Sequence, residues 1–251
     1  EVIQGAAVVT MVLNTVCLWK QEARVRGTVP YRKDERRPIF REAWGVFTEG
    51  GRAVRLLVAV GLGFFAFNMQ DVLLEPYGGE ILHLSVGQTT GLTGIMAAGA
   101  IVAFWLAAKL LERGWDPIRI AAYGALVGIL AFAAVIFASP LESSLLFRTG
   151  TALIGLGEGM FGVGTLSAAM GLRDERQHGI ALGAWGAVFA TAEGVALALS
   201  GVIRDWLAGL VSRGALGEVL MAASVPYSVV YHLEIAALFA TLIALGPLVA
   251  P

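Results

Sequence analysis

Residues 89–111 read TTGLTGIMAAGAIVAFWLAAKLL, a run in which Lys109 is the single formal charge. Crossing the roughly 30 Å hydrocarbon core of a bilayer takes about 20 apolar residues of helix. Lipid offers no partner to backbone N–H and C=O groups, so a run like this is helical. Six other stretches follow the same rule: Val2–Trp19, Val54–Met69, Ile118–Ala138, Leu145–Leu172, Gly179–Ile203 and Tyr227–Val249. Val54–Met69 is short, but Val72, Leu73 and Leu74 can lengthen it past Gln70 and Asp71. Pro76 and the Gly78-Gly79 pair are expected to stop it there. The short alternating segments of a membrane barrel are absent. The expected fold class is an all-α integral membrane protein with seven spans.

Composition agrees. Of 251 residues, 57% are hydrophobic and 15% charged, and mean hydropathy is +0.74. Soluble domains are nearer 45–50% apolar and about 25% charged. This excludes a disordered chain, a nucleic-acid-binding domain and an ordinary cytosolic enzyme. The net charge of −1 steers nothing by its global field. Cys17 is the single cysteine, so neither a disulfide framework nor a paired-cysteine metal site is expected.

The basic residues set an orientation. Fifteen of the eighteen Lys and Arg fall on alternate connections: residues 20–55, residues 109–119, and the pair Arg173 and Arg176. Only Arg148, Arg204 and Arg213 fall on the others. The basic side is expected to be cytoplasmic, together with the carboxyl terminus. Gln70–Gln88, Ser139–Leu145 and Arg204–Pro226 are then expected to face outward. Three parts follow: a first span at residues 1–19, a basic loop at 20–53 and a six-helix bundle at 54–251. The chain opens on Glu1 with no basic n-region or cleavage site, so the first span is expected to be the last helix of a preceding half rather than a signal peptide. The loop reads as a solvated linker. Phe40, Trp44 and Phe47, at helical spacing among Arg41, Glu42 and Glu49, offer a surface-lying helix instead. Six helices behind a basic loop resemble one half of a major-facilitator transporter. Arg113, Gly114, Asp116 and Arg119 echo the charged turn of that superfamily.

Small residues mark two spans. In the fifth, Thr151, Gly155, Gly159, Gly162 and Ala169 share a side at 100° per residue. In the sixth, Gly179, Gly183, Gly186, Ala190, Gly194 and Gly201 do the same. Such stripes let helix backbones approach closely, or leave a groove where a flat ring could lie. Gly157, Gly159 and Gly162 spell GxGxxG, but no strand precedes them, so no dinucleotide site is expected. Glu158 and Glu193 fall in mid-span. A charge there costs on the order of 2.5–3.5 kcal/mol even on the lenient insertion scale, so proton coupling, a bond to a ligand and a structural bond are all open. Asp71 and Glu75, four residues apart beside Asn68 and Gln70, read as the solvated outer end of the second span. His83 and His178 read as ordinary surface residues. His232 lies about five residues into the last span, free to make a local bond or to ligate a metal centre. Glu234 is about 200° around the helix from it, so one ligand is not expected to touch both. No HExxH, Ser-His-Asp or Walker pattern is present, so no enzyme is expected.

Five stretches together carry a family resemblance: MQDVLLEPYGGE (69–80), LSVGQTT (84–90), GIALGAWGAV (179–188), VYHLEI (230–235) and ALGPLV (244–249). The chain resembles the PucC/LhaA family of phototrophic bacteria, the bacteriochlorophyll-delivery branch of the major facilitators, over nearly all of residues 54–251. The resemblance implies about twelve helices in an intact protein. It implies a multi-pass place in the bacterial inner, intracytoplasmic photosynthetic membrane. It also implies a role in assembling the light-harvesting 1 antenna, with the antenna polypeptides, the reaction-centre complex and bacteriochlorophyll as partners. The family pattern has a small residue where Glu193 stands, which argues against a family-wide proton-coupling role for it. A carrier of so flat and apolar a pigment needs small residues for the ring, aromatics at the rim and a donor for magnesium, a hard ion that takes nitrogen or oxygen ligands. His232, Gln70, Trp185, Gly159, Gly183 and Gly186 are the pigment-contacting candidates. Asp71, Glu75, Glu158, Glu193 and Glu234 are the polar ones. Two other functions remain open: a proton-coupled solute transporter using Glu158, Glu193 and Asp71, and a structural subunit that binds no pigment.

The charge split is testable. In a Cys17→Ser background, Thr28→Cys and Ser85→Cys should label from opposite sides of the membrane with an impermeant maleimide. Labelling of both from one side would remove the orientation.

Overall fold

The computed structural model describes residues 11–13, 15–16, 40–49, 51–172, 178–215, 217, 220 and 222–249. The chain forms two compact units, Glu1–Ile39 and Phe40–Pro251. In the first, Met11–Leu13 and residues 15–16 are helical with exposed side chains. The rest of the expected first span and residues 20–39 of the basic loop lie outside the described residues.

The second unit is an all-α membrane bundle. Its helices are α1 (Phe40–Thr48), α2 (Arg52–Asn68), α3 (Leu74–Glu80), α4 (Val86–Glu112), α5 (Pro117–Ala138), α6 (Ser144–Met170), α7 (His178–Ser212) and α8 (Val225–Leu245). Among the described residues, six spans are long and apolar enough to cross a membrane, the first of them running from Arg52 to Glu80 through α2 and α3. Part of the segment expected as a linker is helix α1, where Phe47 is buried in a cluster with Ala53 and Ala181. Exposed Trp44 remains in ring contact with Phe47.

The end of the first of these spans differs from the sequence expectation. Pro76 does not stop it. The backbone passes through a 3-10 turn at Met69–Val72 and restarts as α3. In an unbroken helix the Pro76 ring would meet the Val72 carbonyl and lack the N–H to bond it. The tighter turn before Leu74 places Pro76 in the first helical turn of α3, where that N–H is not needed. Gly78 then lets α3 approach Phe147, whose ring a Cβ would meet at 3.2 Å.

Local signals fix the other ends. Ser85 and Gln88 form a reciprocal capping box on α4, with the Ser85 N–H donating to Gln88 Oε1 at 3.0 Å. Gly114, at φ +78°, takes the left-handed turn after α4. Asp116 then accepts the Ile118 N–H at 2.9 Å as the α5 cap, with Pro117 at the first helical position. Two residues of the turn that echoes the major facilitators, Gly114 and Asp116, thus serve to end one helix and start the next. Helix α7 continues to Ser212, so Arg204, expected in a loop, is helical.

Helix α6 lies between α4 and α5, its two main neighbours, and meets them almost backbone to backbone. On one side, a Cβ on Gly155 would stand 2.0 Å from the Met96 carbonyl oxygen. A Cβ on Gly159 would stand 2.7 Å from Ala103 Cβ. On the other, Cβ atoms on Gly157 and Gly164 would stand 2.7 Å and 2.6 Å from the carbonyl oxygens of Gly124 and Pro117. Helix α8 packs against α2 and α5, and α7 mainly against α2. The fifth-span glycines therefore pack on two faces: Gly155 and Gly159 of the stripe against α4, and Gly157 and Gly164 outside it against α5. The stripe on α7 behaves otherwise: a Cβ on Gly179, Gly183, Gly186, Gly194 or Gly201 would meet nothing within 4 Å among the described residues. The expectation that Gly183 sits at a tight helix contact does not hold within this bundle.

Gly155→Leu and Gly183→Leu should therefore separate. The first forces α4 and α6 apart, and overpacking alone costs about 1–3 kcal/mol. It should sharply lower the monodisperse yield in detergent, while Gly183→Leu stays near the parent by size-exclusion chromatography. Equal yields would show that backbone contact at Gly155 does not hold the bundle together.

Candidate functional site

The break at Met69–Val72 puts Asp71 inside a span rather than at a solvated helix end. Asp71 is exposed on the bundle surface and lies within electrostatic reach of Glu193 on α7, Glu158 on α6 and Glu234 on α8. Asp71 thus stands within electrostatic reach of three further carboxylates named from the sequence, each on a different helix. Glu158 and Glu193 are half-buried, and Glu234 has no accessible surface. Gln70, also fully buried, donates through Nε2 to Asp71 Oδ1 and has Met96 Sδ 3.5 Å from the same nitrogen. Gln70 Oε1 and both Glu234 oxygens have no hydrogen-bond partner among the described residues. Glu75 is not part of this group. The backbone break separates it from Asp71, and its carboxylate accepts the Thr93 hydroxyl at 3.3 Å instead.

Beside this acidic group stands a ring cluster. Trp185 and Phe189 stack 5.5 Å apart on α7, and Phe64 on α2 meets both edge-on, at 5.6 Å and 4.5 Å. The Trp185 Nε1–H donates to Thr165 Oγ1 at 3.2 Å. Trp185 therefore spends its polar atom inside the bundle and braces α7 against α2 and α6. Of the small residues named with it, Gly159 is filled by Ala103 and Ala100, whereas Gly183 and Gly186 are open. A shallow groove of about 460 Å³ between α2 and α7 is lined by Gly61, Leu62, Phe65, Val188, Thr191 and Val195.

The second predicted span and the last are neighbours, yet they do not form the single rim of Gln70, Asp71, Glu75, His232 and Glu234 that the sequence allowed. Glu234 faces inward, whereas His232 is exposed on the far side of α8. Its Nδ1 lies 2.6 Å from the Ser228 carbonyl oxygen, which orients the ring with Nε2 unbonded. The helical repeat puts exposed Phe239 and Ile243 on the His232 stripe. Ile243 also lines an apolar groove of about 670 Å³ with Val54, Val58, Ala240 and Pro247. His83 is exposed in the loop before α4. The side chain of His178 and all of Arg173 and Arg176 lie outside the described residues.

Sequence reasoning missed a clasp at the Glu80 end. One Arg204 nitrogen donates to both Glu80 oxygens at 3.1 Å and to the Tyr227 hydroxyl at 2.6 Å, and Tyr227 donates to Glu80 Oε2 at 2.6 Å. Asp205 takes the other Arg204 nitrogen at 2.9 Å. This joins α3, α7 and α8. The signal was an arginine within reach of a span end, hidden because α7 was expected to stop at Ile203. Among the described residues, no three His, Cys, Asp or Glu side chains are grouped to hold a metal ion.

Comparison with known proteins adds the family. The model of the PUCC protein family matches residues 1–251. A Rhodobacter capsulatus protein described as an uncharacterized protein in the puhA-bchM intergenic region is 49% identical over 251 residues, which cover 100% of this chain and 52% of that protein. Protein PucC of Rhodovulum sulfidophilum is 48% identical over 229 residues, 91% of this chain and 49% of that protein. The bacteriochlorophyll synthase 44.5 kDa chain of Rhodobacter capsulatus is 30% identical over 204 residues, 75% of this chain and 45% of that protein. The chain spans about half the length of the curated relatives it matches. No solved structure matches. A family model that covers every residue, and relatives this similar along the same length, show that the chain belongs to the PUCC protein family.

Proposed function

We propose that this chain is part of a non-enzymatic assembly factor that holds bacteriochlorophyll in the membrane and passes it to the light-harvesting 1 antenna polypeptides. Its place would be the bacterial inner, intracytoplasmic photosynthetic membrane, beside the reaction-centre complex, with the basic side cytoplasmic. The observation that carries this reading is His232. An imidazole on an outward, largely apolar helix face is held by one nitrogen on the Ser228 carbonyl, leaving the other free. From it an apolar stripe runs through Phe239 and Ile243 to the groove between α2 and α8. A nitrogen donor at one end and an apolar trough at the other suit a flat magnesium-bearing ring with a long tail. Family membership supports the same reading, since one relative is described as a bacteriochlorophyll synthase chain.

His232→Phe keeps a flat ring but removes the nitrogen donor. Pigment retained by the purified protein should fall at least tenfold while expression holds. Cells lacking the protein should contain less light-harvesting 1 complex, with pigment-synthesis enzyme activities unchanged. Full pigment retention in the variant would remove His232 from the site. Proton-driven uptake of a small solute by proteoliposomes, with normal antenna in cells lacking the protein, would replace the reading altogether.

A further inference from the structure

The groove of about 670 Å³ between α2 and α8 is apolar along its length but not at its mouth. Val54 and Val58 line it from α2, and Ala240, Ile243 and Ala244 from α8. From Leu56 to Asn68 and from Ile235 to Val249 neither helix carries a charged side chain. At the Arg52 end the walls are Gly51, Arg55 and Pro247. Arg55 is exposed, and its guanidinium has no hydrogen bond or ion pair among the described residues. Arg52 is placed differently. It donates to the Leu248 carbonyl oxygen at 3.2 Å and lines a separate pocket with Asp116. Among the described residues, Arg55 is therefore the one charged group on the walls of the groove.

The mouth favours an anion for a second reason. Gly51 is the N-cap of α2, no side chain caps that helix end, and its first turn holds no acid. The unpaired N–H groups at a helix start carry partial positive charge. Glu49, two residues before Gly51, does not line the groove. The apolar part also continues beyond it. The helical repeat puts Arg55, Val58, Leu62 and Phe65 on one stripe of α2. Leu62 and Phe65 line the second groove, of about 460 Å³, against α7. Arg55 to Phe65 is about 15 Å of helix, half of the roughly 30 Å hydrocarbon core. The stripe is thus a cation followed by an apolar track as deep as one leaflet.

We propose that Arg55 and the stripe below it form a binding site for an anionic phospholipid, its phosphate against Arg55 and the α2 start, and one acyl chain along the groove. Charge complementarity selects the head. A basic residue at the membrane surface attracts anionic lipid, whereas the phosphate of a zwitterionic lipid is already balanced by its own cation. Shape selects the chain, because the two grooves follow each other on one face of α2. Binding makes and breaks no covalent bond. The site goes beyond the pigment reading and does not rest on it: Ala244, on the groove wall, is about 18 Å along α8 from His232.

Native mass spectrometry of the full chain in detergent tests this, with phosphatidylglycerol and phosphatidylcholine of the same acyl chains as probes. The parent should bind one phosphatidylglycerol about fivefold more tightly than phosphatidylcholine, the contribution of one basic residue. Arg55→Gln should erase that preference. Arg113→Gln, at an exposed basic position on the same end of the bundle, should keep it. Val58→Trp fills the groove but leaves the charge, and should weaken both lipids. Should Arg55→Gln fail to fold, Val58→Trp and the preference of the parent decide. Equal affinity of the parent for the two lipids, a preference that survives Arg55→Gln, or unweakened binding in Val58→Trp overturns the proposal. His232→Phe, which tests the pigment reading, should leave the lipid preference intact whatever it does to pigment; loss of the preference there would overturn the placement at Arg55.

Discussion

The architecture depends on how closely α6 approaches its neighbours. In water, apolar faces associate because water is expelled. In lipid that drive is absent, and helices are held by van der Waals contact and interhelical hydrogen bonds. Contact of that kind rises with proximity, and proximity is limited by the smallest side chain on the meeting faces. Here glycine sets the limit on both sides of α6, with carbonyl oxygens where Cβ atoms would otherwise be. Because α4 and α5 are both seated on α6, the positions of Met96 beside Gln70 and of Glu158 on α6 follow from the same contacts. Of the acids near Asp71, Glu158 is therefore the one carried by the most closely packed part of the bundle.

A second constraint is the break between α2 and α3. Irregular backbone at membrane depth is tolerated where protein or a polar cavity receives the freed groups, and a 3-10 stretch in mid-helix often marks a functional position. Asn68 shows the accommodation directly, turning its Nδ2 back to the Phe64 carbonyl oxygen at 2.7 Å. The residues of the turn are Met69, Gln70, Asp71 and Val72, so the bonded polar pair Gln70 and Asp71 sits where the helix is interrupted. Pro76 enforces the interruption. A proline that in sequence looked like the end of a span is instead what allows Gln70 to turn inward beside Asp71.

The spans were legible because each rests on a local property, the apolar length needed to cross a bilayer. The caps rest on equally local chemistry, Ser85 with Gln88 and Asp116 with Pro117 acting within one turn, although in the sequence these residues stand out only as a family stretch and a superfamily-like turn. What failed was anything that depends on a partner. Gly159 and Gly183 lie in stripes of similar period, yet one is filled by Ala103 and the other is open, and no periodicity distinguishes a packed stripe from a bare one. Glu234 and His232 were separable by helical angle alone, but which faced inward depended on α2 being the neighbour of α8. The convergence of Asp71, Glu158, Glu193 and Glu234 was hidden for a related reason: they are spread over more than 160 residues of sequence. The clasp of Glu80, Arg204 and Tyr227 lay hidden behind a misplaced helix end.

The two polar features place opposite demands on their surroundings. An imidazole on an apolar stripe near a helix end, one nitrogen already bonded to a backbone carbonyl, can meet lipid or a lipid-like ring at modest cost. Asp71, beside Glu158 and Glu193, cannot, because a charged acid against hydrocarbon costs several kcal/mol and each further like charge adds repulsion. The acidic face therefore needs water, protein or bound protons against it. Beside it, α7 presents a row of glycines with nothing packed on them among the described residues. Bare small residues next to acids that must avoid lipid distinguish this side of the bundle from the His232 side. The two sides of the bundle therefore differ in what they present: small residues beside acids on one, an imidazole and an apolar stripe on the other.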